Sequence, residues 1–194
     1  MDLSEPGLGL AVLDDGTKLG RSAHDGTLGL SLLRAPNFPD ATADRGHHGF
    51  TYSLMLHDGD WRSAGVAAEA EALGEPLQAP PISGGGKSEL VAALAIDSAL
   101  ALNITALKPA ADGDGMIVRL VEMHGCRGTA VIRWSIPATD VRAVDGLERP
   151  FVNTAEPGRT LSARHEPCLR HDAAAALTEL TFTPFQIVTL RVRA

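Results

Sequence analysis

The sequence predicts a mainly β chain, folded as a β-sandwich with one short helix. Three observations carry this expectation. Short runs of β-forming residues recur along most of the chain, Gly, Pro and Asp separate them at fairly regular spacing, and a single Ala/Glu-rich stretch breaks the pattern.

Taken in order, Leu8–Leu13 is an apolar run closed by the turn signal Asp14-Asp15-Gly16, and Thr27–Leu33 follows a second turn, His24-Asp25-Gly26. Phe50, Tyr52, Leu54 and Leu56 alternate with Thr51, Ser53 and Met55, the period-2 signature of a strand with one buried face. Ala64–Leu73 reads as a helix, with Gly74 where a C-cap glycine belongs. Residues 76–88 hold three prolines and Gly84-Gly85-Gly86, which marks a linker between a first part, 1–75, and a second, 89–194. Strands are predicted at Leu90–Ile96, Leu100–Leu107, Met116–Met123, Thr129–Ile136 and Val141–Val144, with Asp112-Gly113-Asp114-Gly115 as a tight turn. Residues 152–172 read as a long polar loop, and Ala173–Leu177 as a marginal helical turn. Leu177–Phe182 and Ile187–Val192, parted by Pro184, read as a closing strand pair.

Composition narrows the function. The 194 residues are 44% hydrophobic and 21% charged, in the range of a globular protein. With a net charge of -7 and its 17 Lys and Arg residues scattered, the chain lacks the concentrated positive charge that nucleic acid requires. It holds no apolar run of about 18 residues that would span a membrane, and Met1–Pro6 does not open as a secretory signal. Cys126 and Cys168 stand far apart without a CxxC pair. A reduced, cytoplasmic compartment is expected.

Several residue groups have two readings. Asp40, Asp44, Arg45, His47 and His48 cluster within nine residues, as ligands of a metal or as a loop held by Asx turns and Asp–Arg pairs. Glu122 and His124, two apart on a predicted strand, share a face as a general acid/base pair or as an ordinary hydrogen-bonded pair. Trp61 and Trp134 are platforms for sugar rings or core residues. Gly84-Gly85-Gly86-Lys87-Ser88 has the flavour of a phosphate loop, but Pro81 takes the place of its first glycine, so it reads as linker. No nucleophile–base constellation emerges, which disfavours an independent hydrolase. A free-standing module that binds carbohydrate or protein remains an alternative.

One family resemblance runs through these segments. Asp2–Gly7 with Leu10–Leu13, Leu30–Pro36, Pro39–Gly46 with His48–Leu54, Glu122–Gly125, Leu147–Pro150 and Pro184–Ile187 resemble, in order, blocks of the distal β-region of glycoside hydrolase family 38 (class II) α-mannosidases, in their bacterial and cytosolic branch. Asp14, Leu19 and Gly49 depart from the Asn, Tyr and Glu usual in the family.

The resemblance implies that residues 1–75 end a large galactose-mutarotase-like β-domain and that 89–194 form a smaller C-terminal β-sandwich. It implies retaining hydrolysis of terminal α-mannosides, which needs two carboxylates roughly 5 Å apart, in an N-terminal α/β barrel carrying an aspartate nucleophile and a divalent metal, usually zinc. The chain itself would then hold no catalytic residue, metal or cofactor, and would buttress that barrel and line part of its cleft. Its partners would be the barrel, the other β-domains and the mannoside, and alone it would self-associate. Arg34 is the best match to a family arginine that reaches the cleft, where its fork could bind sugar hydroxyls or a carboxylate; the alternative is a salt bridge to Asp40 or Asp44. Asp44 and Arg45, in the following loop, are secondary substrate-binding candidates.

Overall fold

A computed structural model describes residues 1–17, 20–75, 92–151 and 167–194. The chain divides into two compact units, Met1–Gly84 and Gly85–Ala194. The linker read at 76–88, with its glycine-rich Gly84–Ser88 stretch, lies outside the described residues.

In the first unit, β1 (Asp2–Glu5), β2 (Leu8–Asp14) and β5 (Tyr52–His57) form an antiparallel sheet in the order β1-β2-β5. β3 (Gly20–His24) and β4 (Thr27–Ser31) make a separate hairpin. Asp25 and Gly26 both carry positive φ at its tip, 47° and 69°, the pairing that a two-residue hairpin of native twist demands. The one helix, α1 (Val66–Gly74), forms where its Ala/Glu composition placed it, with Gly74 as its last residue and the N–H of Glu75 capping onto Glu71 O at 2.7 Å. Val66, Ala70 and Leu73 pack on Ala11, Leu13 and Met55 of the sheet.

That contact decides which face of β5 is covered. β5 alternates as its sequence says, yet the covered side carries Met55 and His57, while Tyr52, Leu54 and Leu56 are exposed. The reason is register. Met55 pairs with Ala11, which places it on the side that α1 occupies.

The second unit is the sandwich. Its strands are β6 (Leu94–Ser98), β7 (Leu102–Pro109), β8 (Met116–Glu122), β9 (Gly128–Trp134), β10 (Asp140–Val144), β11 (Leu169–Asp172), β12 (Leu177–Phe182) and β13 (Ile187–Arg193). They form two antiparallel sheets, β10-β13-β8-β7 and β11-β12-β9-β6. Val118, Leu120, Val188 and Leu190 from one sheet meet Ala130, Ile132, Leu180 and Phe182 from the other in a buried apolar core. Alternate residues of each strand supply it, as two packed sheets require.

Three sequence expectations change here. Leu169–Asp172, inside the supposed long loop, is the edge strand β11. Ala173–Ala176 is a turn rather than helix, with Ala176 at φ 53° linking β11 to β12. The last two strands do not pair. β12 lies between β11 and β9 and β13 between β10 and β8, so the chain crosses from one sheet to the other around Pro184 and Phe185.

Candidate functional site

The strand carrying the approach to Arg34 ends at Ser31, earlier than the Leu33 expected, and residues 32–51 run on without regular structure. Arg34 is exposed and makes no hydrogen bond or ion pair with any described residue. The salt bridges to Asp40 and Asp44 are therefore not formed. Asp40 instead closes an Asx turn, its Oδ1 accepting from the N–H and the hydroxyl of Thr42, both at 2.8 Å. Those two bonds hold its carboxyl below the ordinary range.

The neighbouring residues are spent on the loop itself or left at the surface. Half-buried Asp44 offers its carbonyl to His48 at 2.9 Å; a carbonyl only accepts, so Nε2 of His48 carries the proton. The same ring stacks on Phe50 at 6.4 Å. Arg45 bonds through its backbone N–H to Thr42 O at 3.0 Å, and its side chain, like His47, points to the exterior. Among the described residues no group of three or more His, Cys, Asp and Glu is placed to hold a metal. The loop presents two guanidinium forks that bond to no described residue, Arg34 and Arg45, and exposes Leu32, Leu33 and Phe38, the last 86% exposed. Such a surface can donate paired hydrogen bonds to hydroxyls or to a carboxylate brought against it.

Glu122 and His124 do not form a side-chain acid/base pair. The Glu122 carboxylate is fully buried and accepts the backbone N–H groups of His124 at 2.9 Å, Gly125 at 2.7 Å and Phe185 at 2.9 Å. Burial pushes the carboxyl up, and the N–H groups of Phe185, His124, Cys126 and Gly125 outweigh it, so the net displacement is downward. Glu122 thus ties the β8–β9 turn to the crossing at Phe185. Trp134 is core, its Nε1–H donating to Thr178 Oγ1 at 2.8 Å. Trp61 packs against the α1 core, with the Arg62 guanidinium 4.4 Å from its ring centroid where a sugar would stack.

In the first unit, two polar pairs escaped the sequence reading because their members lie on different elements. Arg21 grips Asp14 with two bonds, 2.8 and 2.6 Å, anchoring the β3–β4 hairpin to the end of β2. His57 reaches Asp2 at 2.7 Å. Asp2 falls in a block where the family resemblance was read, whereas Asp14 stands where the chain departs from the family's usual Asn.

Comparisons with known proteins agree with that resemblance. Residues 101–190 match the glycosyl hydrolases family 38 C-terminal beta sandwich domain. The chain is similar to human alpha-mannosidase 2C1, 38% identical over 193 residues that cover 98% of this chain and 17% of that protein. The mouse alpha-mannosidase 2C1 is 36% identical with the same coverage. Alpha-mannosidase G of Dictyostelium discoideum is 36% identical over 152 residues, 76% of this chain and 14% of that protein. The chain therefore spans about one sixth of the length of the first two relatives.

Proposed function

Given that the chain belongs to glycosyl hydrolase family 38, we propose that it acts as the non-catalytic C-terminal β-region of an α-mannosidase that releases terminal α-mannose with retention, in the cytoplasm. The observation that carries this reading is the 38% identity to an alpha-mannosidase along 98% of the chain. In the intact enzyme the nucleophile and a divalent metal, zinc, belong to the catalytic barrel, and this region supports that barrel and closes part of its cleft. Arg34 is the residue that would touch substrate or a cleft carboxylate, with Asp44 and Arg45 as secondary contacts; that its exposed guanidinium bonds to no described residue supports the role.

A chimera of human alpha-mannosidase 2C1, its matching stretch exchanged for this chain, tests the proposal beside the isolated chain. The substrate is an aryl α-mannoside, with zinc and cobalt added in turn. The chimera should turn over and the chain alone should not. Turnover by the chain above a heat-killed control, or a folded chimera without activity, would overturn the reading.

A further inference from the structure

We propose that the second unit binds a neutral pyranose residue in the cavity between Phe185 and the segment that follows β10. The pocket is argued from this unit alone; only the choice of mannose as its sugar rests on the function proposed above.

The outer face of the β10-β13-β8-β7 sheet is covered along part of its length. Residues 145–150 cross it as a strap, Arg119 Nη2 donating to Gly146 O at 3.1 Å and Arg191 Nη2 to Glu148 O at 3.0 Å. Val144, Thr189 and Arg191 are buried there. Ile187 points to the same face of β13, two residues before Thr189, and is 62% exposed. Where the strap stops, a cavity of about 640 Å³ opens, lined by Val144, Phe151, Phe185, Gln186, Ile187 and Thr189. Its size is that of a small-molecule site, roughly 300–1,000 Å³.

Phe185 is held at this cavity against its own preference. Its φ is 55°, a left-handed conformation that a bulky residue adopts only when its surroundings impose it. The imposing group is buried Glu122, whose Oε2 accepts the N–H of Phe185 at 2.9 Å and that of Gly125 at 2.7 Å. The ring lies over Gly125, where a Cβ would stand 2.7 Å from its Cζ. The ring is thereby fixed, and Phe185 is still 61% exposed. Backbone strain that presents a fixed aromatic ring at a cavity points to a ligand for that ring.

The rest of the wall selects the ligand. Asp145 is its one charged side chain among the described residues. That carboxylate already accepts the N–H groups of Leu147 and Arg149 and the Arg149 Nε–H, so the wall holds no charge in reserve for an ionic ligand. Gln186 Oε1 accepts the N–H and the hydroxyl of Thr183 at 2.8 and 3.1 Å, which leaves the Gln186 N–H2 as a donor bonded to no described residue. Thr189 Oγ1 accepts from Arg119 Nε at 3.1 Å and keeps its own O–H to donate. The cavity therefore combines neutral donors with apolar walls, two of them phenyl rings. A pyranose answers both: its C–H face stacks on an aromatic ring, and its hydroxyl and ring oxygens accept. A purely apolar ligand would leave the Gln186 donors unpaired.

The experiment titrates the whole chain with methyl α-mannoside, methyl α-glucoside, methyl β-galactoside and, as an apolar probe, indole. NMR shifts of the Gln186 side-chain N–H2 and the Ile187 methyl groups report binding. The mannoside should shift both, saturably. Gln186→Glu keeps the acceptor for Thr183 and loses the N–H2, and should weaken binding about tenfold, the equivalent of one hydrogen bond. Phe185→Leu keeps an apolar side chain without a π face and should weaken it by roughly the same factor. Leu33→Asp, in the first unit, should leave it unchanged. Near-UV circular dichroism checks that each variant is folded, and Gln186→Glu decides alone if Phe185→Leu is not. No saturable shift with any sugar, or equal affinity in the parent and the folded variants, overturns the inference and leaves the proposed function standing. Indole that saturates the site and is not displaced by sugar assigns it to an apolar partner and overturns the inference too. Preference for the glucoside or galactoside supports the pocket and overturns mannose as its sugar. An inactive chimera overturns the proposed function alone.

Discussion

His57, at the end of β5, reaches over the central strand β2 to Asp2 on β1, with Nε2 2.7 Å from Oδ1. The path is open because Gly9 lies beneath the ring: a Cβ there would sit 2.0 Å from His57 Cε1. One glycine, one imidazole and one carboxylate therefore bind three strands on the helix-covered side of the sheet. The hydrogen bond to Asp2 is the largest influence on the imidazole and raises its pKa above the ordinary 6.5; burial opposes it, and the Asp58 carbonyl adds to the rise.

That displacement has a signed consequence. A group whose folded pKa is raised stabilises fully below its unfolded value, and the contribution disappears as pH climbs through the folded one. The first unit should therefore melt at a lower temperature at pH 8.5 than at pH 6. His57→Gln, which keeps a donor and cannot titrate, should flatten that difference. Thermal scans of parent and variant across the range check it, and an unchanged slope in the variant would remove His57 as its source.

Gly9→Ala should destabilise by about 1–3 kcal/mol, the range for forcing extra atoms into a filled site. The ring must leave Gly9 and thereby lose Asp2. If so, Gly9→Ala and His57→Ala are coupled, and the double variant should be more stable than the sum of the single effects allows. Additive effects in urea titrations would mean that the methyl is accommodated elsewhere.

Glu122→Ala should cost on the order of 3 kcal/mol or more, since it strips the acceptor from several backbone N–H groups around a fully buried carboxylate. Its lowered pKa means the stabilisation is present above the ordinary 4.5 and fades as pH falls through the folded value. Acid unfolding of the second unit, followed by Trp134 fluorescence, should shift to higher pH in Glu122→Gln. A variant as acid-resistant as the parent would contradict this.

Arg34→Lys, placed in the chimera, should lower kcat/KM for an aryl α-mannoside by about 10–150-fold, the equivalent of losing a charge-assisted bond worth roughly 1.5–3 kcal/mol. Tm should hardly move, because Arg34 bonds to no described residue. Near-normal kinetics with a clear drop in Tm would make Arg34 a loop anchor instead.

Local signals in this sequence determined local structure. Within the Ala/Glu-rich stretch read from Ala64, Val66–Gly74 is helical by composition, Asp25-Gly26 and Asp112–Gly115 turn by backbone preference, and the apolar runs of β8, β9, β12 and β13 are strands in a sandwich core. Strands without such a signal went unread. β1 and β11 are four residues each, and β3 is polar and exposed throughout. The Arg34 loop is singled out only by its family resemblance, because nothing in its spacing distinguishes a cleft arginine from a surface one.

Tertiary structure alone decided which strands are neighbours and which faces are covered. β12 and β13 adjoin in sequence yet lie in opposite sheets, and the Glu122 carboxylate, 63 residues away, accepts from Phe185 N–H at the crossing. Glu122, His57 and Arg21 all find their partners this way. A period-2 pattern states that β5 has two faces but not which of them α1 will take; that depends on the registers Ala11↔Met55 and Leu13↔Ser53. Register is a property of two segments together, and it leaves no mark on either segment alone.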